Sequence, residues 1–332
     1  MDNLPPVSVI VPCYNEEKTI SLLLDALRRQ TYPANLLEVI IADGMSTDQT
    51  RTILLEYNQE HPELRLRIVD NPQRNIPTGL NQAIRASQGD VILRLDAHSI
   101  PAPSYIEFSI AGLLENKGEN IGGVWQIEPG NDSWAARSIA LAAGHPFGVG
   151  DALYRYATEP GYVDTVPFGC FRRETLEKIG LYDENLLTNE DYELNVRLRQ
   201  SGGRVYLDPS IRSQYFSRST YKQLASQYWR YGYWKYQMLR RYPGTLRWRQ
   251  AVPPLFVAGM IGLVLLGPFW NLARWMFLGV SLLYLLLLLT GSIPYVVKGR
   301  DARLLVGIPI AIMVMHFSWG AGFLASLLRI TR

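Results

Sequence analysis

The chain has 332 residues, 48% hydrophobic and 19% charged, with a net charge of only +3, enough for one large folded domain and an appendage. Its charge is unevenly laid out: residues 1–208 carry 18 Lys/Arg against 29 Asp/Glu, residues 209–250 carry nine basic residues and no acid, and the final 82 carry six basic residues and Asp301. A nucleic-acid binder would place its basic surface on the folded module, which excludes that class, and two cysteines exclude a disulfide scaffold and fit a reducing compartment.

Strand-like runs open the chain: "VSVIVP" (7–12), "LEVIIAD" (37–43), "LRLRIVD" (64–70) and "DVILRLDA" (90–97). Helical patterns lie between them at 16–29, 48–59 and 78–86, with Thr47 and Pro77 near plausible starts. This alternation predicts right-handed βαβ crossovers and a mostly parallel sheet flanked by helices. Ligands of such sheets bind outside the carboxyl ends of the strands. Those ends here read Pro12-Cys13-Tyr14-Asn15-Glu16, Asp43-Gly44, Asp70-Asn71 and Asp96-Ala97-His98. Neither a dinucleotide glycine fingerprint nor a P-loop is present.

In "VILRLDAHS" the strand period puts Asp96 and His98 on one face, where both can aim at a point beyond the strand end. Further on, "NEDYEL" leads into the helical spacing of "YELNVRLRQSGG", which puts Asp191 near a helix N-terminus, a favoured place for a carboxylate. That carboxylate is either a cap or a chemical group. Cys13, between Pro12 and Tyr14, reads as a packed small residue.

Residues 209–250 mix basic side chains with tyrosines and tryptophans, a composition suited to the headgroup layer of a membrane. Within it Gln227 and Arg230 lie one helical turn apart and can share a face. Three stretches without Asp, Glu, Lys or Arg follow, at 251–270, 275–297 and 304–328. At ~1.5 Å per residue each reaches across a ~30 Å hydrocarbon core. Pro253, Pro254 and Pro268 make the first span the candidate for a re-entrant path, and His316 in the third reads as a packed hydrogen-bonder or a functional group. Basic residues flank the first span on its N-terminal side and fill the loop between the second and third, while only Arg274 separates the first two. The positive-inside rule then places residues 1–250 in the cytoplasm. The N-terminus lacks the pattern of a signal peptide, in keeping with that side.

The motifs "VSVIVPCYNEE", "IIADGMSTDQT", "LNQAIRASQGDVILRLDAHS", "GCFRRETLEKIGLYDENLLTNEDYELNVRLRQSGGRVYLDP" and "QYWRYGYW" together resemble the family-2 glycosyltransferases of the GT-A fold. More narrowly, the "DAH" triplet, "HPFGVGDALYR" and "VDTVPFGCFRR" resemble the bacterial exopolysaccharide group typified by succinoglycan glucosyltransferase. The resemblance implies a cytoplasmic catalytic domain over 1–235, an overlapping interfacial segment at 209–250 and a membrane domain at 251–330. It implies a metal-dependent, inverting hexosyltransferase of the inner membrane, moving sugar from a UDP-sugar, glucose first, to a polyprenyl-diphosphate-linked saccharide. The alternatives are transfer onto polyprenyl phosphate, or a non-catalytic scaffold of the same fold.

The resemblance also implies roles for residues. Asp191 is the general base beside Glu190. Pro12, Tyr14, Glu16, Asp43, Arg74, Asp96, Gln227 and Arg230 hold the nucleotide sugar. Asp164 and Tyr231 face the acceptor, Tyr231 standing where the family's Gln-x-x-Arg-Trp motif has tryptophan. Asp96 and His98 hold a divalent cation, Mn²⁺ before Mg²⁺ because imidazole suits the former better; the alternative leaves His98 hydrogen-bonding a phosphate. Membrane lipids and other polysaccharide-assembly enzymes are the remaining candidate partners, and nucleic acid is not among them.

Overall fold

A computed structural model describes residues 4–243 and 245–329. In chain order it begins β1 (Val7–Cys13), α1 (Ile20–Arg28), β2 (Leu37–Asp43), α2 (Thr50–Glu60), β3 (Leu66–Asp70), α3 (Ile76–Ala86) and β4 (Val91–Arg94). Then come β5 (Ser99–Pro101), α4 (Tyr105–Leu114), β6 (Asn120–Glu128), α5 (Trp134–Ala143) and α6 (Pro146–Val149). They are followed by β7 (Gly161–Tyr162), β8 (Cys170–Arg172), α7 (Arg173–Ile179), α8 (Glu190–Gln200) and β9 (Val205–Phe216). The chain ends in four long helices, α9 (Tyr221–Arg241), α10 (Trp248–Leu266), α11 (Asn271–Gly299) and α12 (Leu304–Arg329). Two compact units result: Met1–Gln126 with Leu153–Tyr215, and Ile127–Ala152 with Phe216–Arg332.

The first unit is built on one sheet with strand order β3-β2-β1-β4-β8-β6-β9-β5, and β7 on β9. The predicted half, β3-β2-β1-β4, is parallel throughout. The sheet continues through antiparallel pairs, β4 with β8, β8 with β6, and β9 with β5 and β7, so it is mixed rather than mostly parallel. Several of the added strands have two or three residues, too short to leave a period in the sequence. Alternation sorts the parallel strands onto two faces. Val7, Val9, Val11, Val39, Ile41 and Leu93 pack with the apolar sides of α1 and α4. On the opposite face, Ile10, Ile40, Ala42 and Ile92 pack with Leu80, Ala83 and Ile84 of α3 and with Leu194 and Leu198 of α8. Both faces are covered, as a parallel sheet requires. Where β6 and β9 run closest, a Cβ on Gly123 would sit 1.8 Å from the Ile211 carbonyl oxygen, so only glycine fits.

From β1 the chain runs outward through β2 to β3 and then crosses back to β4 on the other side of β1, so the strand order reverses at the β1/β4 boundary, a topological switch point. The loops after β1 and β4 therefore meet.

In the second unit α10, α11 and α12 are each long and apolar enough to cross a membrane. At 19 residues α10 is one continuous helix: it passes through Pro253 and Pro254 and stops before Gly267-Pro268. Helix α12 is the inner member, 44% buried over its apolar window against 11% for the other two. Close approach explains why its glycines matter, since a Cβ on Gly320 would lie 2.6 Å from the Pro253 carbonyl oxygen and one on Gly322 2.3 Å from that of Trp229. The basic aromatic segment forms α9, which buries Leu224, Gln227, Tyr228, Gly232, Lys235 and Met238 along one stripe. His316 is a packed hydrogen-bonder: Nε2 meets the Phe147 carbonyl at 2.9 Å and Nδ1 the Tyr284 hydroxyl at 2.8 Å.

Candidate active site

The site begins with one buried arginine. Strand β4 carries Arg94 on the same face as Ile92, the face that α8 covers, and the side chain is only 4% exposed. Its Nη1 donates to Asp191 Oδ1, its Nη2 to Glu190 Oε1 at 3.1 Å and to Asp96 Oδ1 at 3.0 Å, and its Nε to the same Asp96 oxygen at 3.3 Å. Three carboxylates and one guanidinium thus meet at the end of β4. The Tyr182 ring lies 6.0 Å from the guanidinium carbon. The buried charges keep Arg94 protonated, its pKa held well above the ordinary value against the effect of burial. The deficit of positive charge falls on Asp191. Burial raises its carboxyl to about 7, Glu190 and Asp96 add to the rise, and Arg94 opposes it.

Helix α8 is a firm platform for that acid. Asp191 is its second residue, preceded by Asn189 in a left-handed conformation at φ 69°, which turns the chain sharply into the first turn. Tyr192, Leu194, Val196 and Leu198 are buried beneath it. Arg197 pins the helix to the preceding loop through the carbonyls of Ile179 at 2.5 Å, Gly180 at 2.8 Å and Leu181 at 2.7 Å. The same guanidinium holds Glu193, which is fully buried. Asn120 donates to Asn195 at 2.7 Å and Asn195 to Thr165 at 3.0 Å, tying α8 to β6. The loop before α8 is tied to α3: Asn81 exchanges hydrogen bonds of 2.9 Å with the Tyr182 backbone in both directions and donates to Glu184 at 2.8 Å.

The structure corrects the sequence reading at "VILRLDAHS". Strand β4 ends at Arg94, and Ala97-His98 form a turn closed by the Ser99 amide on the Asp96 carbonyl at 2.9 Å. Beyond the strand end, the Asp96 carboxylate comes back onto the Arg94 guanidinium. His98 instead turns toward the loop after β1, where its Nδ1 lies 3.0 Å from Glu16 Oε1. That contact bridges the switch point. It also fixes the ring in the manner of a metal-ligating histidine whose second nitrogen meets a carboxylate.

The other nucleotide-side residues line the same edge. Asn15 at φ 54° sends its amide to Ser46 Oγ at 2.9 Å and its Oδ1 accepts from the Thr47 amide at 2.8 Å, so the loops after β1 and β2 are stitched together. Tyr14 is 44% exposed at that seam, and Pro12 is half-buried. Asp43 is fully buried and accepts from Ser46 Oγ at 2.6 Å and from Arg51 Nη1 at 3.2 Å, the latter shared with Asp70 at 2.6 Å. Arg74 is exposed, in a left-handed turn after β3. Asp164 is buried, 7% exposed. Burial pushes the Cys13 thiol up and out of the reactive range, and the neighbouring Glu16 and Asp43 add to the rise, consistent with a packing role. In the second unit Gln227 is buried and donates to the Tyr231 hydroxyl at 2.8 Å, whereas Arg230 is exposed; one turn of α9 separates them, but their environments differ.

A divalent cation can be tested against these groups. With Asp191 ionised, Asp96, Glu190 and Asp191 outnumber their one arginine by two charges, so the electrostatics favour a doubly charged ion. Among the described residues, however, no three His, Cys, Asp or Glu side chains are spaced to enclose one. The donor set fits an ion that takes one or two ligands from the protein and completes its shell on a bound phosphate. Sequence reasoning missed Arg94, Arg51, Asn81 and Arg197. Of these Arg94 had a signal: a lone arginine in an otherwise apolar strand, two residues before an acid.

Similar proteins share this architecture. A Rhizobium meliloti succinoglycan biosynthesis protein, ExoA, is 28% identical over 326 residues, which is 98% of this chain and 96% of that protein. A dolichyl N-acetyl-α-D-glucosaminyl phosphate 3-β-D-2,3-diacetamido-2,3-dideoxy-β-D-glucuronosyltransferase of Methanococcus voltae is 26% identical over 97% of both chains. Among solved structures, the mannosyltransferase PcManGT of Pyrobaculum calidifontis, in complex with GDP-Man and Mn²⁺, aligns over 99% of this chain and 88% of its own with a TM-score of 0.68 at 18% identity. Staphylococcus aureus TarS (residues 1–349) gives 0.51 over 98% of this chain and 92% of its own, at 15% identity. These likenesses identify the fold as GT-A. The family model for glycosyl transferase family 2 matches residues 8–180, more than half of the sequence, and the chain belongs to that family.

Proposed function

We propose that this protein is a membrane-anchored, inverting glycosyltransferase that moves a sugar, glucose first, from a UDP-sugar to a polyprenyl-diphosphate-linked saccharide in exopolysaccharide or cell-surface glycan assembly. The observation that carries the reading is the meeting of Asp96, at the nucleotide edge, with Asp191, at the start of α8, across one buried arginine. Transfer from a nucleotide sugar requires a stabilised diphosphate leaving group and an acceptor hydroxyl that loses its proton. Asp191 accepts that proton at its carboxylate, and a pKa near 7 suits a base at physiological pH. With no enzyme nucleophile, a single displacement from the side opposite the leaving group inverts the anomeric centre.

Tyr14, Pro12 and Asp43 line the edge that receives the base and ribose, with Arg74 near the rim. Asp96 and His98 are the residues that would hold a divalent cation, which supplies Lewis-acid neutralisation of the departing diphosphate. We assign that ion as Mn²⁺ because of the imidazole. On α9, Arg230 takes phosphate charge, Gln227 holds Tyr231 in place, and Tyr231 and Asp164 serve the acceptor. Domain limits of 1–235 for catalysis, 209–250 for the interface and 251–330 for the membrane follow, with catalysis on the cytoplasmic side of the inner membrane.

Support for a lipid-linked acceptor comes from the Methanococcus voltae relative, whose name specifies a dolichyl phosphate-linked amino sugar, and support for exopolysaccharide assembly comes from the relative named as a succinoglycan biosynthesis protein. The test is incubation of membranes containing the protein with labelled UDP-sugars, followed by lipid extraction. A labelled lipid diphosphate oligosaccharide supports the proposal. Label on a lipid monophosphate redirects it to polyprenyl phosphate transfer, and no transfer from any donor leaves a scaffold.

A further inference from the structure

We propose that Arg94 is the positioning residue for the transfer, its guanidinium fork aiming the Asp191 carboxylate while Glu190 and Asp96 hold the fork in place. The inference rests on the reading of Asp191 as the base. Arg94 stands where strand β4 otherwise offers only Val91, Ile92 and Leu93 to the core. Burying a guanidinium there carries a desolvation penalty that an apolar residue would avoid. What the arginine provides is geometry. A planar fork fixes the directions in which its nitrogens donate, whereas the three donors of a lysine ammonium rotate about one point. One nitrogen serves Asp191, another is shared by Glu190 at 3.1 Å and Asp96 at 3.0 Å, and a third returns to Asp96 at 3.3 Å.

Asp191 is otherwise set among groups that repel it. Glu190 precedes it on the same turn, Asp96 lies beyond the fork, and the Tyr182 and Tyr105 rings offer no positive charge. Without the fork the three carboxylates rotate apart, and the base leaves the line of attack. Ser99 holds the Asp96 carbonyl by its amide at 2.9 Å and its hydroxyl at 2.7 Å, so the donor edge keeps its backbone when Arg94 is removed.

The experiment is a double-mutant cycle on the full-length protein in detergent micelles, with R94Q, R94K, D191N, R94Q/D191N and R94K/D191N. Thermal melting and UDP affinity report folding, and kcat is separated from the donor KM. We expect R94Q and R94K each to lower kcat by about 100-fold, with donor KM and UDP affinity changed less than about threefold. In the D191N background either substitution removes less than about a further threefold, because the group it positions is already gone. Losses that multiply in the double variants, or wild-type kcat in either single variant, overturn the inference. A folding failure of R94Q leaves the same comparison to R94K, which keeps the buried charge. Normal turnover by D191N would instead remove the base assignment itself, so the two failures are told apart.

Discussion

The reaction should shut down on mild acidification, at a pH set by Asp191. Its carboxyl is raised to about 7, so below that pH it holds a proton and cannot accept one from the acceptor hydroxyl. Activity is therefore lost as pH falls through about 7 and is retained above it. A single group of that pKa is about one-eleventh ionised at pH 6 and about ten-elevenths at pH 8, so kcat/KM should rise roughly tenfold between them. An unperturbed aspartate, with a pKa near 3.9, would give a flat profile over the same range. The assay is transfer of labelled sugar to an extracted lipid acceptor in mixed micelles, with UDP affinity measured at each pH to keep nucleotide binding apart from turnover. Asp191→Asn should lower kcat about 10²- to 10⁴-fold, roughly 3–5 kcal/mol of transition-state stabilisation, and leave UDP affinity within about twofold. A flat kcat/KM profile from pH 6 to 8, or Asp191→Asn turning over at the wild-type rate, refutes the reasoning.

Other parts of the structure give separate tests. His98→Ala should weaken Mn²⁺ activation about 10- to 100-fold while changing the Mg²⁺ titration little, as expected when a carboxylate-supported imidazole ligand is lost; equal shifts for both ions would remove the ligand role. Arg197→Met leaves Glu193 buried without its partner and should cost about 3–5 kcal/mol in denaturant unfolding, and a change under 1 kcal/mol would contradict the account of how α8 is held. Gly123→Ala drives a Cβ into the Ile211 carbonyl, so limited proteolysis should show β6 and β9 separating, and wild-type protease resistance would count against the close approach. Reporter fusions in the loop at Gly267-Pro268 and near Asp301 should report opposite sides of the membrane, the latter with the N-terminus; the same side for both would make α11 non-spanning.

The sequence by itself determined what repeats or accumulates along the chain. Period-2 runs at β1, β2 and β3 and helical spacing at α2 and α3 fix local structure within a residue or two, because each element buries one face. Uninterrupted apolar length identified the three long C-terminal helices, since few soluble folds need such stretches. Asp191 at the start of α8 followed from local order, the acid pair standing directly before the helical period. Contacts made across long sequence separations belong to the tertiary structure. The short strands β5, β7 and β8 exist only because a neighbouring strand completes their hydrogen bonds. Arg94 acquires its role only from α8, nearly a hundred residues on, which brings Glu190 and Asp191 against it. The turn of His98 toward Glu16 likewise comes from the switch point between β1 and β4, a property of strand order that no local pattern encodes.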